Sequence, residues 1–167
     1  MSYAVFSAET AKSPTFATIP PPTRLSAGRH APSFVLRELS NPRMVAFRGR
    51  ASTPLVVNFF ASWCHDCIDE LDAFGKVSNE SSGVRFIGVD TTDSNPGLAA
   101  RLLDHARITY SIGVDLNGTV ASRYLISALP VTFFVSRSGV VEGEVFGAAT
   151  SRELVQWVHR LGGSLRQ

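Results

Sequence analysis

One stretch limits what this chain can fold into more than any other: Leu55-Val56-Val57-Asn58-Phe59-Phe60-Ala61-Ser62-Trp63-Cys64-His65-Asp66-Cys67. Residues 55–60 carry no charge and favour β structure, as a strand does when a sheet buries it on both faces. A helix-forming run, Ile68 to Phe74, leads away. Between them stand the only 2 cysteines of the chain, spaced Cys-x-x-Cys. Two cysteines cannot staple a disulfide framework, and a strand–CxxC–helix order reads as a redox pair.

The spacing carries its own chemistry. Cys64 falls at the start of the helix, where unpaired backbone N–H groups and the positive end of the macrodipole favour thiolate over thiol. Cys67 lies nearly one turn further along the same face. Cys64 is therefore expected to attack and Cys67 to resolve the mixed disulfide.

The rest of the chain reads as one α/β domain behind a tail. Residues 1–27 are rich in Ser, Thr, Ala and Pro and read as a flexible tether, with docking through Phe6 and Phe16 as the alternative. The domain is expected over residues 28–167. Ser33 to Leu36 and Met44 to Phe47 read as a hairpin turning at Asn41-Pro42. Ile68, Leu71, Phe74 and Val77 recur at helical spacing over residues 65–80. Val84 to Asp90 reads as a second buried strand, and Asn95-Pro96 as a helix start followed by Leu98, Leu102, Leu103 and Ala106. A short helix carrying Val120, Ala121, Tyr124 and Leu125 is expected next. Val131–Val135 and Val140–Phe146 read as a second hairpin. Thr150-Ser151-Arg152-Glu153 is a capping box opening a last helix.

Composition removes several function classes. The formal net charge is only +2 and the basic residues are scattered, so no nucleic-acid footprint is present. No stretch is long and apolar enough to span a membrane, and residues 1–27 lack the apolar core of a secretory signal. A zinc site needs four ligands, and one CxxC beside His65 and Asp66 falls short, with His30, His105 and His159 distant in sequence. Ile68 follows Cys67, so there is no Cys-x-x-Cys-His haem attachment. No metal or other cofactor is expected.

From about Gly28 to the last helix the chain resembles the TlpA/ResA-type (DsbE-like) thioredoxin-like proteins. The residues that carry the resemblance are Gly28-Arg29-His30-Ala31-Pro32-Ser33-Phe34, Val56 to Cys64, Ile87-Gly88-Val89-Asp90, and Tyr124 to Leu129 followed by Pro130-Val131-Thr132-Phe133-Phe134. The resemblance implies a thioredoxin-like fold: a central mixed β-sheet flanked by helices, an N-terminal β-hairpin and an extra βα insertion. It implies a thiol–disulfide oxidoreductase of the bacterial cell envelope. Its reach would include protein thiol and disulfide substrates, apocytochrome c among them, with an upstream electron donor and a monomeric state. The chain shows no signal or anchor of its own; a membrane tether is compatible with the family, and a cytoplasmic location is the alternative.

The resemblance also assigns residues. Pro130 matches a cis-proline facing the CxxC, which would set the Leu129 backbone beside the sulfurs for a substrate chain to pair with. Glu70 matches an acid near the active site and is the candidate to move protons for Cys67; the plainer reading is a solvated helix-face acid. Asn58 stands where small thioredoxins carry a buried aspartate. Trp63 is expected to offer substrate a flat surface or to pack in the core, and His65 to flank the substrate or simply face solvent. Two departures stand out: His65-Asp66 between the cysteines, where prolines are common, and Asp72 where a proline often follows.

The direction of transfer turns on charge. Protonated His65 would favour the Cys64 thiolate and a more oxidising disulfide, while Asp66, Asp69, Glu70 and Asp72 oppose it. Four acids against one part-time cation favour the reducing side. The competing readings are a DsbA-like oxidase, a peroxiredoxin-like peroxidase and a non-catalytic binding module. The peroxidase pattern Pro-x-x-x-Thr-x-x-Cys is broken here, because its positions hold Val57 and Ala61.

Overall fold

The computed structural model describes residues 24–166. Residues 1–23, most of the expected tether with Phe6 and Phe16, lie outside the described residues. In chain order the elements are β1 (Phe34–Glu38), β2 (Met44–Phe47), β3 (Leu55–Phe60), α1 (His65–Glu80), β4 (Ser81–Ser82), β5 (Arg85–Thr91), α2 (Pro96–His105), β6 (Ser111–Asp115), α3 (Thr119–Arg123), β7 (Val131–Val135), β8 (Val141–Phe146), α4 (Ser151–Arg160) and β9 (Ser164–Leu165).

A seven-stranded mixed sheet runs in the order β2-β1-β6-β5-β3-β7-β8. β3 lies parallel to β5 and antiparallel to β7, which puts the strand that leads into the cysteines near the middle of the sheet. Every residue of β3 is buried, as a charge-free strand between covered faces requires. Val57 and Phe59 point to one face, where Phe34, Phe47, Tyr124 and Phe133 complete a core. Val56 and Phe60 point to the other, which α1, α2 and α4 cover through Phe74, Val77, Leu103, Leu154 and Val158. The mixed sheet, the flanking helices, the N-terminal hairpin and the inserted α2–β6 segment match the thioredoxin-like architecture that the resemblance implies.

Capping signals translate directly into geometry. Asn95 Oδ1 accepts the Leu98 N–H at 3.0 Å with proline at the next position. Thr150 and Glu153 bond reciprocally as a capping box. The strand after α1 begins at Arg85 rather than Val84, and Ser81–Ser82 does more than end a helix: it pairs with Ser164–Leu165. Two-residue strands carry no periodicity by which a sequence reading could find them. Packing also starts before Gly28, because Leu25 is buried in the core and the Ala27 N–H reaches the Glu144 carboxylate at 3.2 Å.

Candidate active site

β3 delivers the chain to the rim of the sheet, and Ala61-Ser62-Trp63 turns it into α1. Cys64 is the N-cap residue, extended at φ −87° and ψ 110°. Its Sγ accepts the Cys67 N–H at 3.2 Å. One of the otherwise unpaired donors of the helix start is thus aimed at the sulfur, the contact that favours a thiolate there. Cys64 and Cys67 form a disulfide, with Cα atoms 5.2 Å apart. Cys67 is completely buried and Cys64 is 7% exposed. An incoming group therefore meets Cys64 before Cys67.

The Leu129–Pro130 peptide bond is cis. Leu129 packs against the cluster that contains both cysteines. Leu129 and Trp63 also line a cleft of about 530 Å³ bounded by Thr91, Thr92 and the 117–128 segment. Its wall contains no charged side chain. Trp63 is 60% exposed, so it belongs to this surface and not to the core. Its Nε1–H donates to the Thr92 carbonyl at 3.3 Å, which steadies the ring at the mouth of the cleft. His65 and Asp66 are exposed at the start of α1.

Glu70 is not a solvated helix-face acid; it is 2% exposed. Its Oε1 accepts Asn58 Nδ2 at 2.7 Å and its Oε2 accepts the Ala149 N–H at 2.8 Å. Asn58 Nδ2 also reaches Thr132 Oγ1 at 3.2 Å, tying β3, β7, α1 and the start of α4 together. Burial pushes the Glu70 pKa up to about 7, against the opposing pull of the bonds from Ala149 and Asn58. This corrects the charge count made from sequence. Glu70 is not a fully ionised neighbour of the sulfurs at neutral pH, and the other acids in the first turns of α1, Asp66, Asp69 and Asp72, are exposed.

Two acids that the sequence reading gave no role stand under the same turn. Asp93 Oδ2 accepts the Ser62 N–H at 2.6 Å, and its Oδ1 accepts the Asn95 N–H at 2.8 Å. Asp90, quoted only as part of a motif, is completely buried at the end of β5. An acid directly following the apolar run Phe86 to Val89 was the available signal. Among the described residues no group of three or more His, Cys, Asp and Glu side chains is arranged to hold a metal ion.

A disulfide-bonded CxxC at a helix N-cap, on a mixed sheet covered by helices and with the residue before a cis-proline packed against its cluster, is the arrangement of a thioredoxin-fold thiol–disulfide oxidoreductase. Residues 27–143 match the AhpC/TSA family, and the chain belongs to that family. It is 21% identical over 142 residues to the thiol-disulfide oxidoreductase ResA of Bacillus thuringiensis subsp. konkukian (strain 97-27), covering 83% of this chain and 80% of that protein. Among solved structures it is similar to a DsbF homologue from Corynebacterium diphtheriae, with a TM-score of 0.71, 19% identity and coverage of 87% of this chain and 98% of that one. It is also similar to a secreted Mycobacterium tuberculosis disulfide oxidoreductase homologous to E. coli DsbE, with a TM-score of 0.65, 24% identity and coverage of 77% and 96%. The structural likenesses carry the fold.

Proposed function

We propose that this protein is a disulfide reductase for other proteins of the cell envelope. The observation that carries the reading is the near-total burial of the pair, with Cys64 alone meeting the surface, beside an uncharged cleft and among the acids Asp66, Asp69 and Asp72. Negative charge near the sulfur makes thiolate less favourable, and a less stable thiolate makes the disulfide harder to reduce and the dithiol a better reductant.

In the reduced protein the Cys64 thiolate attacks one sulfur of a substrate disulfide. A bond forms between Cys64 Sγ and that sulfur while the substrate S–S bond breaks, and the second substrate sulfur leaves as a thiolate and takes a proton. Glu70, one turn after Cys67 and poised near neutrality, accepts the Cys67 proton. The Cys67 thiolate then attacks Cys64 Sγ, the bond from Cys64 to the first substrate sulfur breaks, that sulfur leaves as a thiolate and takes the proton held by Glu70, and the Cys64–Cys67 disulfide forms. The substrate gains two electrons and an upstream dithiol donor returns them to the pair. Leu129 offers its backbone to the substrate chain, Trp63 its exposed face, and His65 flanks the entering sulfur.

The substrate is an extended segment around a cysteine pair with uncharged neighbours, apocytochrome c before haem attachment being one example. The working unit is a monomer. The likeness to a secreted oxidoreductase supports the envelope location, and among the described residues no helix is long and apolar enough to cross a membrane. An insulin-reduction assay with dithiothreitol tests the activity: turnover is expected from the wild type and lost in Cys64→Ser. Turnover of hydrogen peroxide without insulin reduction would replace this reading with a peroxidase.

A further inference from the structure

Asp90, the penultimate residue of β5, lies beside Phe60 of β3. Its side chain leaves the strand on the same face as Phe86 and Gly88, toward the cluster that holds both cysteines, because strand side chains alternate. It is completely buried, and neither carboxyl oxygen accepts a hydrogen bond from any described group. An ionised carboxylate in that state is very costly. Asp90 stands in register with Phe60, and Asp93 Oδ2 accepts the N–H of Ser62 two residues further on, so the two carboxyls stand under the same turn; Asp93 already accepts the Ser62 and Asn95 amides. Two carboxylates cannot bond one another, but an acid and a carboxylate can.

We propose that Asp90 and Asp93 share one proton beneath the Ser62–Cys64 turn, and that Asp93 is a positioning residue for Cys64 whose hold depends on Asp90 keeping that proton. The Asp93 carboxylate grips the Ser62 N–H, two residues before Cys64, and the Asn95 N–H at the entry to α2. With the proton present, Asp90 donates to Asp93 and the grip is closed. With the proton lost, two buried negative charges face one another and the turn that presents Cys64 loosens.

The expected titration follows that geometry. Burial, then the Asp93 charge, then the bond to Asp93 push Asp90 up to about 7. Burial alone would raise Asp93, but the Ser62 and Asn95 bonds and the Asp90 contact outweigh it and hold Asp93 below its ordinary value. Of the other ionisable groups nearby, Tyr110 packs on this face with its buried hydroxyl unpartnered, and burial pushes its pKa up, which keeps it neutral. Asp115 of β6 is bound by Thr91 Oγ1 and by the Val120 and Ala121 amides, and Thr91 leaves β5 on the face opposite Asp90. Glu70 of α1 is held by Asn58 and Ala149. His65 and Asp66 of α1 are exposed. The charge that acts on Asp90 is Asp93.

The positioning role rests on the thiol-exchange reading, whereas proton sharing does not, so the test separates them. Carboxyl-carbon NMR of aspartate-labelled wild-type protein is recorded against pH in the oxidised and reduced states. Asp90 is expected to titrate near 7 and Asp93 below 3.8, its ordinary value. The Asp90 midpoint should differ between the two redox states, because reduction frees the Cys64 sulfur and changes its contacts, and coupling between the two groups acts on both alike. Asp93→Asn should shift the thiol equilibrium with glutathione by at least about threefold, a fraction of the roughly tenfold that one charge-assisted hydrogen bond is worth. Glu70→Gln should leave the Asp90 midpoint in place. An Asp90 midpoint in the ordinary aspartate range overturns the shared proton. A midpoint identical in both redox states, or an unshifted equilibrium in Asp93→Asn, overturns the positioning role. Failure of insulin reduction with the titration intact would instead count against the thiol-exchange reading alone.

Discussion

At Glu70, burial and hydrogen bonding pull in opposite directions, and burial wins. With a folded pKa of about 7 against an ordinary 4.5, folding retains a proton that the unfolded chain gives up. Glu70 therefore costs nothing below pH 4.5 and destabilises the fold progressively as pH rises toward 7, by on the order of 3 kcal/mol at the top of that window. Glu70→Gln removes this slope, so urea unfolding at a series of pH values should show a smaller loss from pH 5 to 8 than in the wild type; an unchanged slope would mean Glu70 ionises normally. The cysteines give a second residue-scale prediction. Cys67→Ser should accumulate a stable mixed disulfide with substrate through Cys64, visible on non-reducing gels, while Cys64→Ser should trap none. The position of Glu70 was legible through its spacing from Cys67. Its burial was not, because its partners Asn58 and Ala149 come from β3 and the start of α4 and only the fold brings them there.

The elements around the site depend on a close approach. A Cβ on Gly75 in α1 would collide with the Ala106 carbonyl just after α2, a backbone atom that cannot swing aside. Gly75→Ala is therefore expected to lower stability by about 1–3 kcal/mol, the usual cost of overpacking, despite alanine's better helix propensity. Equilibrium denaturation checks it, and a gain in stability would show that the helices separate freely. At this scale the sequence was most readable where a local pattern is sufficient. Asn95-Pro96 and Thr150 to Glu153 announced their helices through short-range capping, and β3 announced its burial by carrying no charge. The serine pairing of β4 with β9 and the union of Asp93 with the Ser62 turn join residues far apart in sequence, and no local pattern encodes them.

Across the whole molecule, one architecture serves one pair of sulfurs. The central strand leads to them, one of them caps α1, the peptide entering β7 is cis, and β5 with the loop after it brings Asp90 and Asp93 beneath the turn. The covered sheet was largely readable, because the order strand–CxxC–helix–strand–helix–strand–short helix–hairpin–helix leaves few ways to build it, whereas the acids beneath the turn were not. The direction of electron flow is a property of the assembled electrostatics and is fixed by no single motif. The central claim is that the acids around Cys64 outweigh the helix-start donor aimed at its sulfur, so that the thiolate is disfavoured on balance and the pair is a reductant. The equilibrium reduction potential of Cys64–Cys67, measured in glutathione or dithiothreitol buffers by thiol alkylation, tests it most directly. A value at or below about −250 mV, near thioredoxin, is predicted; a value above about −150 mV, toward that of DsbA, would make the protein an oxidant and contradict the account.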